Sequence, residues 1–234
     1  MKGEQLKNVL YITVVISLFA QTLTGLIDAY ALTLDYSGDF LLIKGLLAIE
    51  FFVQVIEFIF YIWLFYYFTD TRNITPKRYY DWAITTPSML FILIIYLDYL
   101  RNDETVPEID GKTTIEYISN SFHKHGYNIL IVLLLNLLML IFGYLGELKI
   151  IKNWQAVFYG FIPFVVYFYF IYDKYAKYTE NGMILFYIFS GIWSLYGVSA
   201  LFPYLLKNIS YNILDIFSKN FFGLFLAYLA IFKK

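Results

Sequence analysis

Long apolar segments alternate with short polar connections along the whole chain. Seven segments are each long enough to cross the hydrocarbon core of a bilayer, which takes roughly 20 apolar residues in a helix. Their predicted bounds are about 6–33, 40–68, 76–100, 127–147, 154–172, 182–206 and 210–232. Open strands would leave backbone groups unpaired in lipid, so the pattern predicts an all-α bundle of seven transmembrane helices.

The connections between the apolar segments are rich in charges and helix breakers. The longest hydrophilic connection, residues 101–125, contains TTIEYISNSF, which reads as a short helix, as an extension of the fourth span or as a solvated loop. The N-terminal apolar segment is too long for a signal peptide, so we expect a retained first span. Residues 1–234 are expected to form one transmembrane domain. Lys and Arg divide almost evenly between the two sides, so their distribution does not orient the bundle.

The composition agrees with a membrane protein and argues against several chemistries. The 234 residues are 60% hydrophobic and 15% charged, with a formal net charge of -1, and nothing in this balance suggests a nucleic-acid partner. The chain has no cysteine and only two histidines. We therefore expect no metal site and no catalytic residues of an enzyme.

Polar residues recur every three or four positions inside three of the spans, and this spacing places each set on one helix face. The first span carries Thr13, Ser17, Gln21, Thr24 and Asp28; the second carries Glu50, Gln54, Glu57 and Tyr61; the last carries Asn208, Asn212, Asp215 and Lys219. The polar side chains of a single stripe can serve only to hydrogen-bond one helix to its neighbour. Three stripes with carboxylates at mid-membrane depth predict a water-accessible seam.

Lys219 lies deep in the last span, with roughly 15 Å of helix between it and each boundary. A side chain that extends along the helix to water is one interpretation, which this depth disfavours. With Asp215 one turn earlier, a structural ion pair is a second interpretation. The third is chemical, because burial favours the neutral amine, a nucleophile able to form a Schiff base. Arg78, Asp81 and Thr85 share a face of the third span and offer a second anionic partner, although alone they fit a surface-proximal ion pair.

Four segments resemble the microbial (type 1) rhodopsins, the seven-helix retinal proteins. RYYDWAITTP is similar to their third helix, DIFSKNFFGLFL to the seventh, and WSLY and NLLMLIFG to segments that wall the chromophore. The resemblance implies all-trans-retinal bound as a Schiff base to Lys219, with Asp81 and Asp215 as counterions and Arg78 beside them. It implies a retinal pocket formed by Trp82, Thr85, Thr86, Met139, Gly143, Trp193 and Tyr196.

Two positions of the sixth span depart from the family pattern. Gly197 stands where a proline usually follows the tyrosine, and Ala200 replaces a second tryptophan, so a looser pocket is expected at that end. The resemblance also suggests that Thr86 couples to Asn136 of the fourth span, although relatives use an acid or a cysteine in this pairing.

The family contains proton pumps, sensors and channels, and this chain lacks two residues typical of pumps. Pumps usually have a carboxylate donor eleven residues after the counterion, where this chain has Ile92, and acidic release groups near Lys207. Glu50 would be the replacement donor of an outward proton pump. That pump and a sensory rhodopsin remain the alternatives.

Three polar positions resemble those of channelrhodopsins more closely than those of pumps. Glu50 and Glu57 lie seven apart, and Asn220 directly follows the retinal lysine. In channelrhodopsins a serine, a glutamate and an asparagine form a central constriction, which the resemblance places at Ser17, Glu57 and Asn220. The predicted ion pathway consists of Ser17, Asp28, Glu50, Gln54, Glu57 and Asn220. We therefore predict a light-gated channel for monovalent cations, with divalent cations left open.

The short chain and short loops resemble the rhodopsins encoded by large viruses of algae and protists. The resemblance implies a multi-pass protein in a host membrane with its N-terminus outside, and it leaves a homo-oligomer open.

Overall fold

The computed structural model describes residues 3–38, 40–68, 74–102 and 114–232 as seven membrane-length helical segments, with no strand among them. The first six are α1 (Gly3–Leu32), α2 (Phe40–Tyr66), α3 (Ile74–Asn102), α4 (Thr114–Glu147), α5 (Asn153–Lys174) and α6 (Glu180–Ser199). The last consists of α7 (Tyr204–Asp215), a π-helical turn (Ile216–Asn220) and α8 (Phe221–Phe232). The predicted seven-helix membrane fold is confirmed, and the protein is an integral multi-pass membrane protein.

The fourth helix is longer than predicted. It begins at Thr114 rather than near residue 127, so the part of the hydrophilic connection after residue 113 extends the fourth span. Glu116 lies in its first turn, where a carboxylate interacts favourably with the helix dipole. The rest of the hydrophilic connection, residues 103–113, lies outside the described residues.

The boundary between the last two spans was predicted too late in the chain. The sixth span was expected to reach residue 206, but α6 ends at Ser199 and α7 begins at Tyr204 with Pro203 as its N-cap. Proline disfavours helical conformation in the residue before it and suits a helix start. The Lys207 amide donates to the Pro203 carbonyl at 2.9 Å, so Lys207 belongs to the first turns of α7.

Successive spans run in opposite directions, so α1, α3, α5 and α7 all begin at one end of the bundle. We call this end the first face and the opposite end the second face. Apart from the half-buried Thr13, the polar stripes of α1, α2 and the last span are buried. Large apolar side chains such as Phe19, Leu26, Leu134 and Val165 are exposed. The polar residues therefore point into the bundle, and the outer surface is suited to lipid.

The π-helical turn explains how three consecutive residues of the last span become buried together. Ser218, Lys219 and Asn220 are all at most 5% exposed, although a regular α-helix would turn them to different sides. A π turn inserts an extra residue into the helix and is often found at functional sites. Here it brings Asn220 into the same interior as Lys219.

Candidate functional site

The Lys219 amine lies among three carboxylates in the centre of the bundle. Its Nζ is 2.9 Å from Asp81 Oδ2, 2.9 Å from Glu57 Oε1 and 3.7 Å from Asp215 Oδ1. All four side chains are at most 4% exposed. The predicted counterion residues Asp81 and Asp215 thus lie beside Lys219, and Glu57 joins them as a third carboxylate.

Asp215 is held by donors from three different helices. Tyr61 and Tyr196 each donate a hydroxyl proton to one of its carboxylate oxygens at 2.7 Å, and Arg78 Nη1 donates at 3.1 Å. Asp81 has fewer partners, because its Oδ1 atom is buried without a hydrogen bond. Asp215 is therefore held in place by three donors, whereas the hydrogen bond to Asp81 comes from the Lys219 amine.

Arg78 is fully buried and is surrounded by amides toward the first face. Its Nε atom donates to Asn208 Oδ1 at 3.2 Å, and its Nη2 atom donates to Asn212 Oδ1. These amides in turn donate to Thr75 and Thr13, each at 2.9 Å. The result is a closed hydrogen-bond network between Lys219 and the first face.

A second set of polar contacts continues from Glu57 toward the second face. Gln21 Nε2 donates both to Glu57 Oε2 at 2.5 Å and to Asn220 Oδ1 at 3.0 Å. Asn220 Nδ2 donates to Thr24 at 2.7 Å and to Gln54 at 3.3 Å. The Gln21–Glu57–Asn220 cluster, as we call it, closes the space among α1, α2 and the last span.

Ser17 does not join Glu57 and Asn220 as expected. Its hydroxyl donates to the backbone carbonyl of Asn212 at 3.2 Å, one turn nearer the first face. The serine side chain is too short to bridge the helices at the level of Glu57, whereas the glutamine one turn later reaches both partners. Gln21 was visible in the polar stripe of α1, and its length was the signal for this role.

The buried polar side chains that extend from Arg78 past Lys219 toward the second face form what we call the polar column. Asp28 and Glu50 are at its second-face end. Both are fully buried, and none of their carboxylate oxygens has a hydrogen-bond partner within the described part of the chain. Gly223 packs against them, since a Cβ at that position would lie 2.8 Å from Asp28 Oδ2 and 3.1 Å from Gln54 Nε2. Beyond them the interior is apolar, with the buried residues Ala31, Leu46, Leu47, Ala227 and Ala230.

A cavity of about 120 Å³ adjoins the Lys219 amine on the side of α3, α4, α5 and α6, away from the polar side chains of α1 and α2. Six of the predicted pocket residues line it: Trp82, Thr86, Met139, Gly143, Trp193 and Tyr196. Thr85 is not among the lining residues, and its hydroxyl donates to the Asp81 carbonyl at 3.0 Å. Gly197 and Ala200 also line the cavity, and a Cβ at Gly197 would collide with the Phe161 ring.

The cavity suits a long apolar ligand with an aldehyde end. Among the described residues that line it, only Lys219 carries an amine, and rings such as those of Trp82 and Tyr211, 5.1 Å apart, form much of its wall. Sites of this kind combine an apolar body with a few placed polar groups. The residues present therefore fit a retinal bound to Lys219.

Two predictions about α3 concern its contact with Asn136 of α4 and the side chain at Ile92. Asn136 Nδ2 of α4 donates to Thr86 Oγ1 at 2.8 Å, which is the contact expected between these helices. Ile92 is fully buried in the apolar core, so the usual donor position of pumps has an aliphatic side chain and apolar surroundings.

Comparisons with known proteins agree with this arrangement. The profile of the family described as "Bacteriorhodopsin-like protein" matches residues 5–232. The green-light absorbing proteorhodopsin of Gamma-proteobacterium EBAC31A08 is 26% identical over 179 residues, which cover 67% of this chain and 61% of that protein. The chain thus spans about three fifths of the length of the curated relatives it matches.

Two solved structures have similar folds. The crystal structure of viral rhodopsin OLPVRII is 25% identical with a TM-score of 0.79, and the alignment covers 94% of this chain and 96% of that one. The structure of xanthorhodopsin, described as a light-driven ion pump with dual chromophore, is 15% identical with a TM-score of 0.72 and covers 98% and 94%.

Proposed function

The chain belongs to the bacteriorhodopsin-like family of microbial rhodopsins, which bind retinal as a Schiff base on a lysine, and we propose that it is a light-gated cation channel. All-trans-retinal is attached to Lys219, and Asp81 and Asp215 are its counterions. The ion pathway runs through the polar column of α1, α2, α3 and the last span. The N-terminus lies outside the cell, and the chain forms one transmembrane domain.

One observation carries this proposal: Glu57 contacts both the Lys219 amine and Gln21. In the proposed ion pathway the Gln21–Glu57–Asn220 cluster is the barrier to ions. Its Oε1 atom lies 2.9 Å from Lys219 Nζ, while its Oε2 atom accepts the 2.5 Å hydrogen bond from Gln21. A change at the chromophore nitrogen therefore reaches the Gln21–Glu57–Asn220 cluster through a single side chain. This is the coupling that light gating requires.

Retinal, when bound, supplies light absorption and a change of shape and proton affinity at the Lys219 nitrogen. With retinal bound, Asp81 would be placed to accept the proton of the Lys219 nitrogen across the 2.9 Å contact, while Asp215 would keep its hydrogen bonds from Tyr61, Tyr196 and Arg78. Glu57 then loses its cationic partner, and its bond to Gln21 rearranges. Water enters between Gln21 and Asn220, and the carboxylates of Glu57, Glu50 and Asp28 favour cations over anions.

Outward proton pumping is the second candidate, and one observation favours it. Glu50 is buried without a hydrogen-bond partner between Lys219 and the second face, where a proton donor would replace the missing carboxylate at Ile92. A sensor would use the same chromophore site and carry no current.

Voltage-clamp recording in cells supplied with retinal separates these functions. We expect a light-evoked current whose reversal potential follows the sodium or potassium gradient. Recording should scan voltage and bath cations, including calcium, to define selectivity. A current that never reverses near resting voltage would identify a pump and overturn the channel, and a coloured protein without current would identify a sensor.

The variant Glu57→Leu tests the observation that carries the proposal. We expect pigment to form with a shifted absorption maximum, because one carboxylate beside Lys219 is lost, and conductance or selectivity to change. Glu180→Leu is the matched control, since Glu180 is exposed at the start of α6, away from the polar column. If Glu57→Leu conducted like the unchanged protein, Glu57 would not belong to the gate.

A further inference from the structure

A buried ion pair joins the end of α4 to the first turns of α7. Lys207 Nζ lies 2.6 Å from Glu147 Oε1, and the two side chains are 4% and 9% exposed. Burying two ions costs several kcal/mol of hydration each, and an apolar pair of similar volume often stabilises a protein as well or better. Stability alone therefore does not account for this pair.

The pair lies where the chromophore cavity meets the first face. Glu147 and Asn153 line the same cavity as Lys219. Asn153 is exposed as the first residue of α5, so the lining of the cavity extends to a residue at the protein surface there. Glu147 is thus part of the cavity wall at its surface end, and Lys207 holds its carboxylate.

The neighbouring wall of this entrance is closely packed. A Cβ at Gly146 would come within 2.5 Å of the Ala156 Cβ, so α4 and α5 are in close contact beside the opening. The turn between them is held by backbone bonds from Leu148 and Ile150 to carbonyls of the last α4 turns at 2.9 and 3.0 Å. The long Lys207 side chain, which approaches from α7, can change its rotamer without displacing a helix.

We propose that the Lys207–Glu147 ion pair is a latch over the entrance through which retinal reaches Lys219. The latch must open once, when the apolar aldehyde enters from the first face, and it then keeps water-borne nucleophiles out. This proposal rests on the attachment of retinal at Lys219, and it is independent of channel activity.

The chemistry at Lys219 gives two measurable steps. During uptake the amine attacks the aldehyde carbon, and the carbonyl oxygen leaves as water while the imine forms. Hydroxylamine reverses the attachment: its nitrogen bonds to the same carbon, Lys219 departs as the free amine, and retinal oxime is released. Both steps require a reagent to pass the entrance, so both report on the latch.

The test uses the full-length protein produced without retinal. After all-trans-retinal is added, uptake is followed as the rise of visible absorbance, and hydroxylamine bleaching of the pigment is then followed in the dark. In Lys207→Met and Glu147→Gln we expect both rates to rise roughly tenfold, which corresponds to a barrier lowered by about 1.4 kcal/mol. The exchanged double variant, Lys207→Glu with Glu147→Lys, should return both rates to near the original values.

Lys177→Met is the matched control. Lys177 forms an ion pair with Asp173 at the same 2.6 Å distance, but on the exposed second-face end of α5, so its loss should leave both rates unchanged. Thermal melting of each retinal-free variant shows that it is folded, and Glu147→Gln keeps the side-chain shape if Lys207→Met melts early.

Unchanged rates in the folded single variants would overturn the latch, as would a double variant that stays fast. A failure of the unchanged protein to form any pigment would instead overturn the attachment at Lys219, and the latch with it. Absence of photocurrent would leave these rates, and hence the latch, unaffected.

Discussion

The polar column differs on the two sides of Lys219. Toward the first face, Arg78, Asp215 and Tyr61 are joined in one hydrogen-bond network that also contains two asparagines. Toward the second face, Asp28 and Glu50 are equally buried, but their carboxylate oxygens have no hydrogen-bond partner in the described part of the chain. The same stripe pattern therefore produces a satisfied half and an unsatisfied half.

The difference lies in the supply of donors. An arginine offers five N–H donors in a planar fork, so one Arg78 can satisfy a carboxylate and two amides together. In the second-face half the donors of Thr24 and Asn220 are used on other side chains, and the Gln54 amide nitrogen makes no hydrogen bond within the described residues, so the carboxylates of Asp28 and Glu50 need a proton, a water molecule or a cation from outside. We infer that the first-face half is a fixed support for the chromophore and that the second-face half is the part that changes during gating.

Among the variants that test this comparison, replacement of Arg78 should have the largest effect on stability and colour. Arg78→Met removes the cationic half of the buried Arg78–Asp215 ion pair, and breaking a buried pair in this way costs about 3–5 kcal/mol. We expect a much lower melting temperature and a shifted absorption maximum. Lys77→Met is the control, because Lys77 is an exposed neighbour that stacks on the Trp63 ring. A pigment of unchanged stability and colour would contradict the fixed-support role.

Neutral replacements in the second-face half should act in the opposite direction. Asp28→Asn and Glu50→Gln each remove a buried carboxylate without partners, a condition that costs about 1–3 kcal/mol. We therefore expect an equal or higher melting temperature together with a smaller photocurrent. Asp215→Asn, which replaces one accepting oxygen with an amide donor and removes the charge that pairs with Arg78, provides the contrast and should destabilise. Clear destabilisation by both second-face replacements would show that this half is satisfied as well.

The smallest effect is expected at Ser17. Ser17→Ala removes one hydrogen bond to the Asn212 carbonyl, worth about 1 kcal/mol, and should lower the melting temperature slightly. Ion selectivity should change far less than in Glu57→Leu, because Gln21, not Ser17, contacts Glu57. A change in selectivity as large as that of Glu57→Leu would show that Ser17 takes part in the constriction of the ion pathway.

Much of the site followed from periodicity. The stripes of α1, α2 and the last span anticipated which faces are buried, and the resemblance identified Lys219 with Asp81 and Asp215. Sequence spacing could not show that Glu57 contacts the Lys219 amine directly, nor that Tyr61 and Tyr196 hold Asp215. Those contacts join residues on different helices, and their distances depend on how the helices are rotated and spaced.

The apolar segments of the sequence by themselves determined seven membrane-spanning helices, because backbone groups in lipid must be paired within each segment. The sequence also determined that Lys219 is buried with a carboxylate one turn away. Only the tertiary structure decided that the π turn brings Asn220 beside Gln21, that Glu57 links this cluster to Lys219, and that Lys207 reaches Glu147 at the cavity entrance. Helical period fixes the face on which a side chain lies, whereas hydrogen bonds of 2.5 to 3 Å depend on helix packing and side-chain reach.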